Sequence, residues 1–478
     1  MSKPNSKNLD FLFHPRSIAL VGIPMSNPDH WTRIFWRALD EFNFKGPIYF
    51  VNRTGGELEG RKVYQSLEEV PGPIDYVIST VSAQAGPGLI LECAQKGVKA
   101  IQFCTAGFSE IADPDAVELE SQLSRLGREK GIRILGPNCM GIYCPESRVS
   151  FRPEFPKESG PVGFISQSGG NTAQLAMEAR WYGVRFSKAV SYGNACDLDE
   201  CDFIEYLSDD PETKVIALYI EGVKNGDRFR RTLKKATRKK PVVLLKGGMT
   251  RGGAGATASH TGAMAGDDAI WDSMCSQLGV IRVHSLDEML DVLVTLIFMP
   301  VLRGRNVALV GSGGGASVLI ADEFEKQGLK VPALPVDIIN QIRAFSHAAG
   351  NIFRNPVDYG QNLRELDKLT KMTRIVLGWE GVDFLALFLI GIWHPKDMAG
   401  MILDIVNNLR KVSADFSKPM ALVFVPSISP EENIKLFPVI QEVISLGLPV
   451  YYSFARAARA MDLVLKNKSN HLPLTASI

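Results

Sequence analysis

What most constrains this chain is a rhythm. Short, uninterrupted Val- and Ile-rich runs alternate with segments of helical period almost throughout its 478 residues. SIALVGI (17–23) is the first run, and Trp31, Ile34, Phe35, Ala38, Leu39 and Phe42 then fall at helical spacing. PIYFVN (47–52), DYVISTV (75–81), KAIQFCT (99–105) and IRILGPN (132–138) continue the series. Runs that are apolar at every position, rather than at alternate ones, suit parallel strands buried on both faces. Residues from about 10 to 145 therefore predict one doubly wound α/β domain.

The rhythm breaks at CPESRVSFRPEFPKESG (144–160), a stretch rich in Pro, Ser and charge that reads as a linker. It restarts with PVGFISQSGG, FSKAVSYGN, VIALYIEG, PVVLLKGG and VIRVHS, to about residue 300. A second boundary falls near Pro300–Gly304. NVALVGSGGGASVLIADEF (306–324) opens a third unit, which continues through FLALFLIG, MALVFVP and PVYYSF. The expected division is 1–145, 158–300 and 304–478, three α/β domains in tandem.

Composition removes several classes of function. Lys and Arg number 53 against 52 Asp and Glu, a formal charge of +1, so no excess charge exists to grip nucleic acid or an anionic membrane. Cys93, Cys104, Cys139, Cys144, Cys196, Cys201 and Cys275 form no CxxC pair, which fits a reducing compartment rather than a disulfide framework or a zinc site. The first residues lack a secretory apolar core. The longest apolar stretch, Met289 to Leu302, is interrupted by Asp291 and Pro300 and falls short of the roughly 18 residues of a membrane span. These features predict a cytoplasmic protein with no resident metal. The glycine content, 43 residues, points to tight βα turns and close approach of backbone to a ligand.

In open α/β sheets ligands bind at the carboxyl ends of strands. Four such places stand out. The first strand closes on Gly22, Ile23, Pro24, Met25, Ser26 and Asn27, with one glycine instead of the three of a dinucleotide fingerprint. The second strand ends at Arg53, which favours a phosphate, and carries no acid for a ribose. Ser166, Gln167, Ser168, Gly169 and Gly170 lie between a strand and a helix expected to start near Asn171, a composition suited to cradling phosphate. Gly311 to Ala316 satisfies GxGxx(G/A), with Gly313, Gly314 and Gly315 at its centre. No acid ends KVPALP, read as the next strand, so a nicotinamide is disfavoured there. Finally, Ser259 to Gly266 is a loop of small residues around His260. Each place also has a plain reading: an ordinary βα turn, a hydroxyl N-cap, close strand–helix packing, or an exposed loop histidine. His14, His30, His284, His347, His394 and His471 read as surface or packing residues. No GxxxxGK[ST], HExxH, paired-Cys or GxSxG pattern occurs.

Taken together, these segments resemble the α subunit of nucleoside-diphosphate-forming acyl-CoA synthetases, a family related to succinyl-CoA synthetase. The likeness spans nearly the whole chain. It is carried by Gly22–Asn27, Thr105-Ala106-Gly107-Phe108-Ser109-Glu110, Gly136-Pro137-Asn138-Cys139-Met140-Gly141, Ser166–Gly170, Ser191-Tyr192-Gly193-Asn194, Asn355-Pro356-Val357-Asp358 and, most specifically, Ser259-His260-Thr261-Gly262-Ala263-Met264-Ala265-Gly266. It implies a Rossmann-like CoA-binding domain followed by two flavodoxin-like ligase domains. It also implies that His260 is phosphorylated by an acyl phosphate and passes the phosphoryl group to ADP, supported by Glu221 of Tyr219-Ile220-Glu221-Gly222. A neutral imidazole is available for that attack near pH 7, and a carboxylate on its other ring nitrogen would fix the tautomer.

The resemblance implies coenzyme A held by Gly22, Pro24, Met25, Ser26, Asn27, Arg53, Thr105, Ala106, Gly107 and Asn138. Phosphate and the acid would be held by Ser166, Ser168, Gly169, Gly170, Asn171, Gly193, Asn194, Gly313, Gly314, Gly315 and Asp358, with two helix starts converging on the phosphoryl group. Ala173, Tyr192, Asn171 and Asn194 would shape the acyl pocket. Trp31-Thr32 stands where the family has a further glycine, and Arg53 where it has a proline. No segment matches the ATP-grasp domain that holds ATP or ADP and Mg2+, which implies an ATP-grasp β subunit as partner in a homo- or hetero-oligomer. The competing expectation is a non-catalytic protein that binds or senses CoA thioesters.

Overall fold

The computed structural model describes residues 9–250, 252–253, 267–299, 302–311, 314–346, 352–358, 365–390, 398–426 and 430–468. Their strands assemble into three mainly parallel sheets. The first contains β1 (Ile18–Val21), β2 (Ile48–Val51), β3 (Gly56–Leu58), β4 (Arg61–Tyr64), β5 (Tyr76–Ser79), β6 (Ala100–Phe103) and β7 (Arg133–Leu135), in the order β3-β4-β2-β1-β5-β6-β7. Only β3 and β4 pair antiparallel. β1, β5 and β6 are buried at every position, which is why their sequences are apolar runs without alternation. From β1 the chain steps first to β2 on one side and later to β5 on the other. With right-handed crossovers, those connections leave on opposite faces and open a crevice between the ends of β1 and β5.

The second sheet is built from β8 (Gly141–Tyr143), β9 (Val162–Ser166), β10 (Phe186–Ser191), β11 (Val215–Ile220), β12 (Val242–Lys246) and β13 (Ile281–Val283). Its order is β13-β12-β11-β9-β10-β8, with β8 antiparallel to β10. Here the order reverses between β9 and β11, so the loops after these two strands face one crevice. β8 follows the Gly136–Met140 segment of the first layer and pairs in the second, which ties the two layers together through the backbone.

The first two sheets form one compact body, residues 1–180 and 185–286. The other body comprises 181–184 and 287–478. It is built on β14 (Val307–Gly311), β15 (Ile352–Phe353), β16 (Val357–Asp358), β17 (Phe384–Ile390), β18 (Met420–Val425) and β19 (Val450–Tyr451), in the order β15-β16-β14-β17-β18-β19. KVPALP, expected to be a strand, contributes a single bridge from Lys330 to Asn306. Pro332 and Pro335 lack the N–H groups a central strand must donate. The neighbour of β14 on that side is instead β16, and it ends on an acid: Asp358 pairs in register with Gly311. The absence of an acid therefore does not argue against a nicotinamide there.

All seven cysteines are free thiols. Among the described residues no helix is long and apolar enough to cross a membrane.

Candidate functional site

The crevices of the first two sheets meet in one cavity of about 590 Å³ within the first body. The first sheet's strand ends and loops contribute Thr80, Cys104, Thr105 and Ala106; the segment leading into β8 contributes Asn138, Cys139 and Met140. Gln167, Ser168, Gly169, Gly170 and Ala173 close it from the second sheet. His30, Trp31 and Arg152 complete the wall.

The second-sheet side is the start of a helix. β9 ends at Ser166, and the helix runs Gly169–Ala179, two residues earlier than the start expected near Asn171. Ser168 is its N-cap: the hydroxyl oxygen accepts from the Asn171 amide at 3.2 Å. Ser166 is fully buried and serves the turn, accepting from the Ser168 amide (3.1 Å) and donating to the Ser168 carbonyl (2.8 Å). Gly169 is required by close approach, because a Cβ there would stand 2.4 Å from Met140 Cγ. The Gly169 and Gly170 amides find no protein acceptor among the described residues, and both glycines line the cavity. Two N–H donors at the positive end of an eleven-residue helix can receive an oxyanion.

Glu221 follows β11 directly beside this turn. It is 7% exposed. The Gln167 side-chain oxygen accepts from the Glu221 amide and, at 2.9 Å, from the Gly222 amide, so the two strand-end loops are fastened to each other. Tyr219 donates its hydroxyl to Glu221 Oε1 at 3.1 Å and also meets Asn171. On the neighbouring strand the buried Lys246 ammonium donates to the Glu221 carbonyl at 2.7 Å and lies 5.4 Å from the Trp271 ring centre. Burial pulls the Lys246 pKa down. The structure thus brings Ser168, Gly169, Gly170, Asn171 and Glu221 to one crevice. His260 and its loop lie outside the described residues, as does Gly313.

Gly193 and Asn194 have a different setting. Gly193 has φ +56°, and a Cβ would stand 2.2 Å from the Pro137 carbonyl oxygen. The Asn194 side-chain Nδ2 donates to Glu110 Oε2 (2.5 Å) and Glu120 Oε2 (2.9 Å). Glu110 also accepts from the Gly107 and Phe108 amides, and Glu120 from Ser109. These residues lock the Thr105–Glu110 loop to the end of β10, and the Gly107 amide turns into that lock instead of the cavity.

On the first-sheet side, Thr105, Ala106 and Asn138 line the cavity, and Gly22 abuts Thr80: a Cβ on Gly22 would meet Thr80 Oγ1 at 3.0 Å. Met25, Ser26, Asn27 and Arg53 are exposed and Pro24 is half-buried; none of them borders the cavity. In the second body, Gly315 is exposed at the start of its helix and Asp358 is buried at the end of β16.

Three residues of the cavity wall lie outside the expected site residues: Trp31 is named from the sequence only for the helical period and as a departure in the first loop, His30 reads there as surface or packing, and Arg152 is not singled out. His30 caps the Trp31–Glu41 helix, its Nδ1 2.8 Å from Thr32 Oγ1, and burial lowers its pKa. Trp31 and Arg152 lie together on the wall, the guanidinium carbon 5.7 Å from the indole centre. His30 precedes a helical period at the right distance for a cap, which was a usable signal. Arg152 sits in a linker-like segment and offered none. The cavity's cysteines are not nucleophiles: burial pushes the Cys104 thiol up to about 12 and Cys139 well above its ordinary value. Among the described residues, His14, Cys144 and Glu146 are the one trio bringing possible metal ligands within 4.8 Å of each other, and none borders the cavity.

Two family models match the chain, a CoA binding domain over residues 16–145 and a succinyl-CoA ligase-like flavodoxin domain over 159–296. The α subunit of acetate–CoA ligase (ADP-forming) II from Pyrococcus furiosus is 36% identical over 85% of this chain and 90% of its own length. The ADP-forming acetate–CoA ligase of Methanocaldococcus jannaschii is 34% identical over 73% of this chain, which spans 49% of that longer protein. Among solved structures, acetyl-coenzyme A synthetase 1 of Ca. Korarchaeum cryptofilum, in complex with phosphate and ADP, superposes with a TM-score of 0.83 at 29% identity, covering 97% of each chain.

Proposed function

The chain belongs to the family of α subunits of ADP-forming acid–CoA ligases, and from that premise we propose that it catalyses the thioester half of acyl-CoA + phosphate + ADP ⇌ carboxylate + CoA + ATP. The observation that carries the reading is the pair of amides, Gly169 and Gly170, open to a cavity that also reaches the Thr105 and Asn138 loops.

Coenzyme A is the thiol substrate, and the described residues fit it: hydroxyl, amide and small side chains line the cavity, and none of these residues carries a carboxylate to repel phosphoryl groups. The Gly22–Asn27 turn, Arg53, Thr105, Ala106 and Asn138 receive it. Phosphate rests on the Gly169 and Gly170 amides with the Ser168 hydroxyl beside it. One phosphate oxygen attacks the thioester carbonyl carbon, the C–S bond breaks, and CoA leaves with its sulfur protonated from solvent. The same amides then neutralise the acyl phosphate, an electrostatic task suited to preorganised donors. A nitrogen of His260 attacks phosphorus and the carboxylate departs. Glu221 holds the opposite ring N–H and balances the charge that develops. ADP takes the phosphoryl group from His260 at a site that includes an ATP-grasp partner subunit, which supplies the Mg2+. Gly313, Gly314, Gly315 and Asp358 serve the ligase from the third domain; Gly193, Asn194 and Gly107 keep the loops in register. The three domains are taken as 1–145, 158–300 and 304–478.

The test is direct. Incubation with acetyl-CoA and labelled phosphate should place an acid-labile, base-stable label on the wild-type chain and none on His260→Ala. A label retained by His260→Ala overturns the relay. CoA binding with no label in the wild type would return the chain to the carrier reading.

A further inference from the structure

Among the described residues that line the cavity, Arg152 is the one ionised side chain, and none of them is an acid. Among the described residues its guanidinium has neither an ion-pair nor a hydrogen-bond partner, while its backbone is held firmly. Ser150 Oγ donates to the Arg152 carbonyl at 2.7 Å and accepts from its amide at 3.2 Å. Its neighbour Phe151 is buried against Phe155, with ring centres 4.9 Å apart. Arg152 is half-buried, and its guanidinium carbon lies 5.7 Å from the Trp31 ring centre, within cation–π range. A ring contact of this kind uses none of the guanidinium N–H donors, which can be offered to an oxyanion. A second feature points the same way: Trp31 opens an eleven-residue helix whose start, at His30 and Trp31, borders the same cavity.

We propose that Arg152, braced on Trp31, binds a second oxyanion of the thioester substrate, apart from the phosphate on the Gly169 and Gly170 amides. This rests on the ligase reading and names part of its substrate. The group is a phosphoryl or carboxylate oxyanion, carried either by the CoA moiety or by the far end of the acyl chain. A half-buried cation that borders a ligand cavity, with a ring contact but no ion-pair partner, gains one when such a substrate enters.

Dissociation constants at low ionic strength separate the sources. Wild type, Arg152→Ala and Arg152→Lys are titrated with acetyl-CoA, succinyl-CoA and S-acetyl-pantetheine, and thermal unfolding verifies that each variant is folded. If the CoA phosphoryl groups are the anion, Arg152→Ala weakens both CoA thioesters about 10- to 100-fold and leaves acetyl-pantetheine unchanged. If an acyl carboxylate is the anion, only succinyl-CoA weakens. In either case Arg152→Lys recovers part of the loss, because the charge returns without the fork. Constants within about twofold of wild type for all three ligands overturn the proposal, as does a loss that acetyl-pantetheine shares equally. A wild-type chain that binds none of the three removes the ligase reading itself, and this inference with it.

Discussion

Glu221, a candidate functional residue, shows how much of such a residue's placement lies outside its own side chain. Its place is fixed by Gln167, which ties its amide to the loop after β9, and by Lys246, which takes its carbonyl. The carboxylate itself accepts from the Tyr219 hydroxyl through one of its oxygens. Replacing Glu221 with Gln keeps that scaffold and removes the charge. We expect labelling of His260 to slow by about two to four orders of magnitude, by analogy with the loss of the orienting carboxylate in hydrolase triads, while the dissociation constant for acetyl-CoA stays within about threefold. Rapid-quench measurement of label incorporation decides it, and an undiminished rate would remove Glu221 from the mechanism. A second carboxyl carries a stability prediction. Glu200 is 3% exposed, and burial first, then neighbouring Asp199, pushes its pKa up to about 7 from an ordinary 4.5. The native state holds this proton more tightly than the unfolded chain. Its contribution is therefore fully present below about pH 4.5 and lost as pH rises through 7. Glu200→Gln should be more stable than wild type at pH 8, by about 3 kcal/mol as an upper bound, with the gain vanishing near pH 4. Urea unfolding at the two pH values measures the difference, and a gain that does not depend on pH contradicts the assignment.

At the scale of elements, function sits where strands stop. The helix Gly169–Ala179 is capped by Ser168, and the same turn presents the two amides to the cavity. Ser168→Ala should cost about 1 kcal/mol of stability through the lost cap and Ser168→Gly only a few tenths. Both should weaken phosphate binding, since both remove the hydroxyl; denaturant midpoints and phosphate titrations test the two effects separately, and equal destabilisation by the two variants would deny the cap. This turn was legible in the sequence because its chemistry is local: a strand run, two serines, two glycines. So were the parallel strands, since burial on both faces leaves no polar position to mislead. What could not be read depends on tertiary neighbours. KVPALP has the hydropathy of a strand, but its prolines keep it out of the ladder. β16 is two residues long and carries no run to detect, although its Asp358 stands beside Gly311. Asn194 looked like a ligand-binding amide, and only the fold reveals Glu110 and Glu120 waiting for it. Arg152 belongs to a segment whose composition says linker, and its meaning arises from its contact with the Trp31 ring.

For the molecule as a whole, the question is where the phosphoryl group goes next. The chain spans 90% of a relative named as an α subunit but 49% of a longer single-chain ligase of the same activity. One account of that contrast is that the chemistry is divided between two parts, joined in one polypeptide or separate in another. The cavity supports the first part of such a division. Among the described residues its lining offers amides, hydroxyls and one guanidinium and no carboxylate to hold a divalent cation, so those residues give a nucleotide–metal complex no seat. The chain alone should accordingly accept label from phosphate and acyl-CoA once per chain, at His260, and then stop. ATP should appear when ADP, Mg2+ and an ATP-grasp β subunit are added, and the label on His260 should discharge at the same rate as ATP forms. Adding ADP and Mg2+ without that subunit should leave the phosphorylated chain intact. Single-turnover chase experiments separate the outcomes: rapid discharge by ADP alone would mean that nucleotide and metal are handled by this chain's own domains, and the division of labour argued from the cavity would fall.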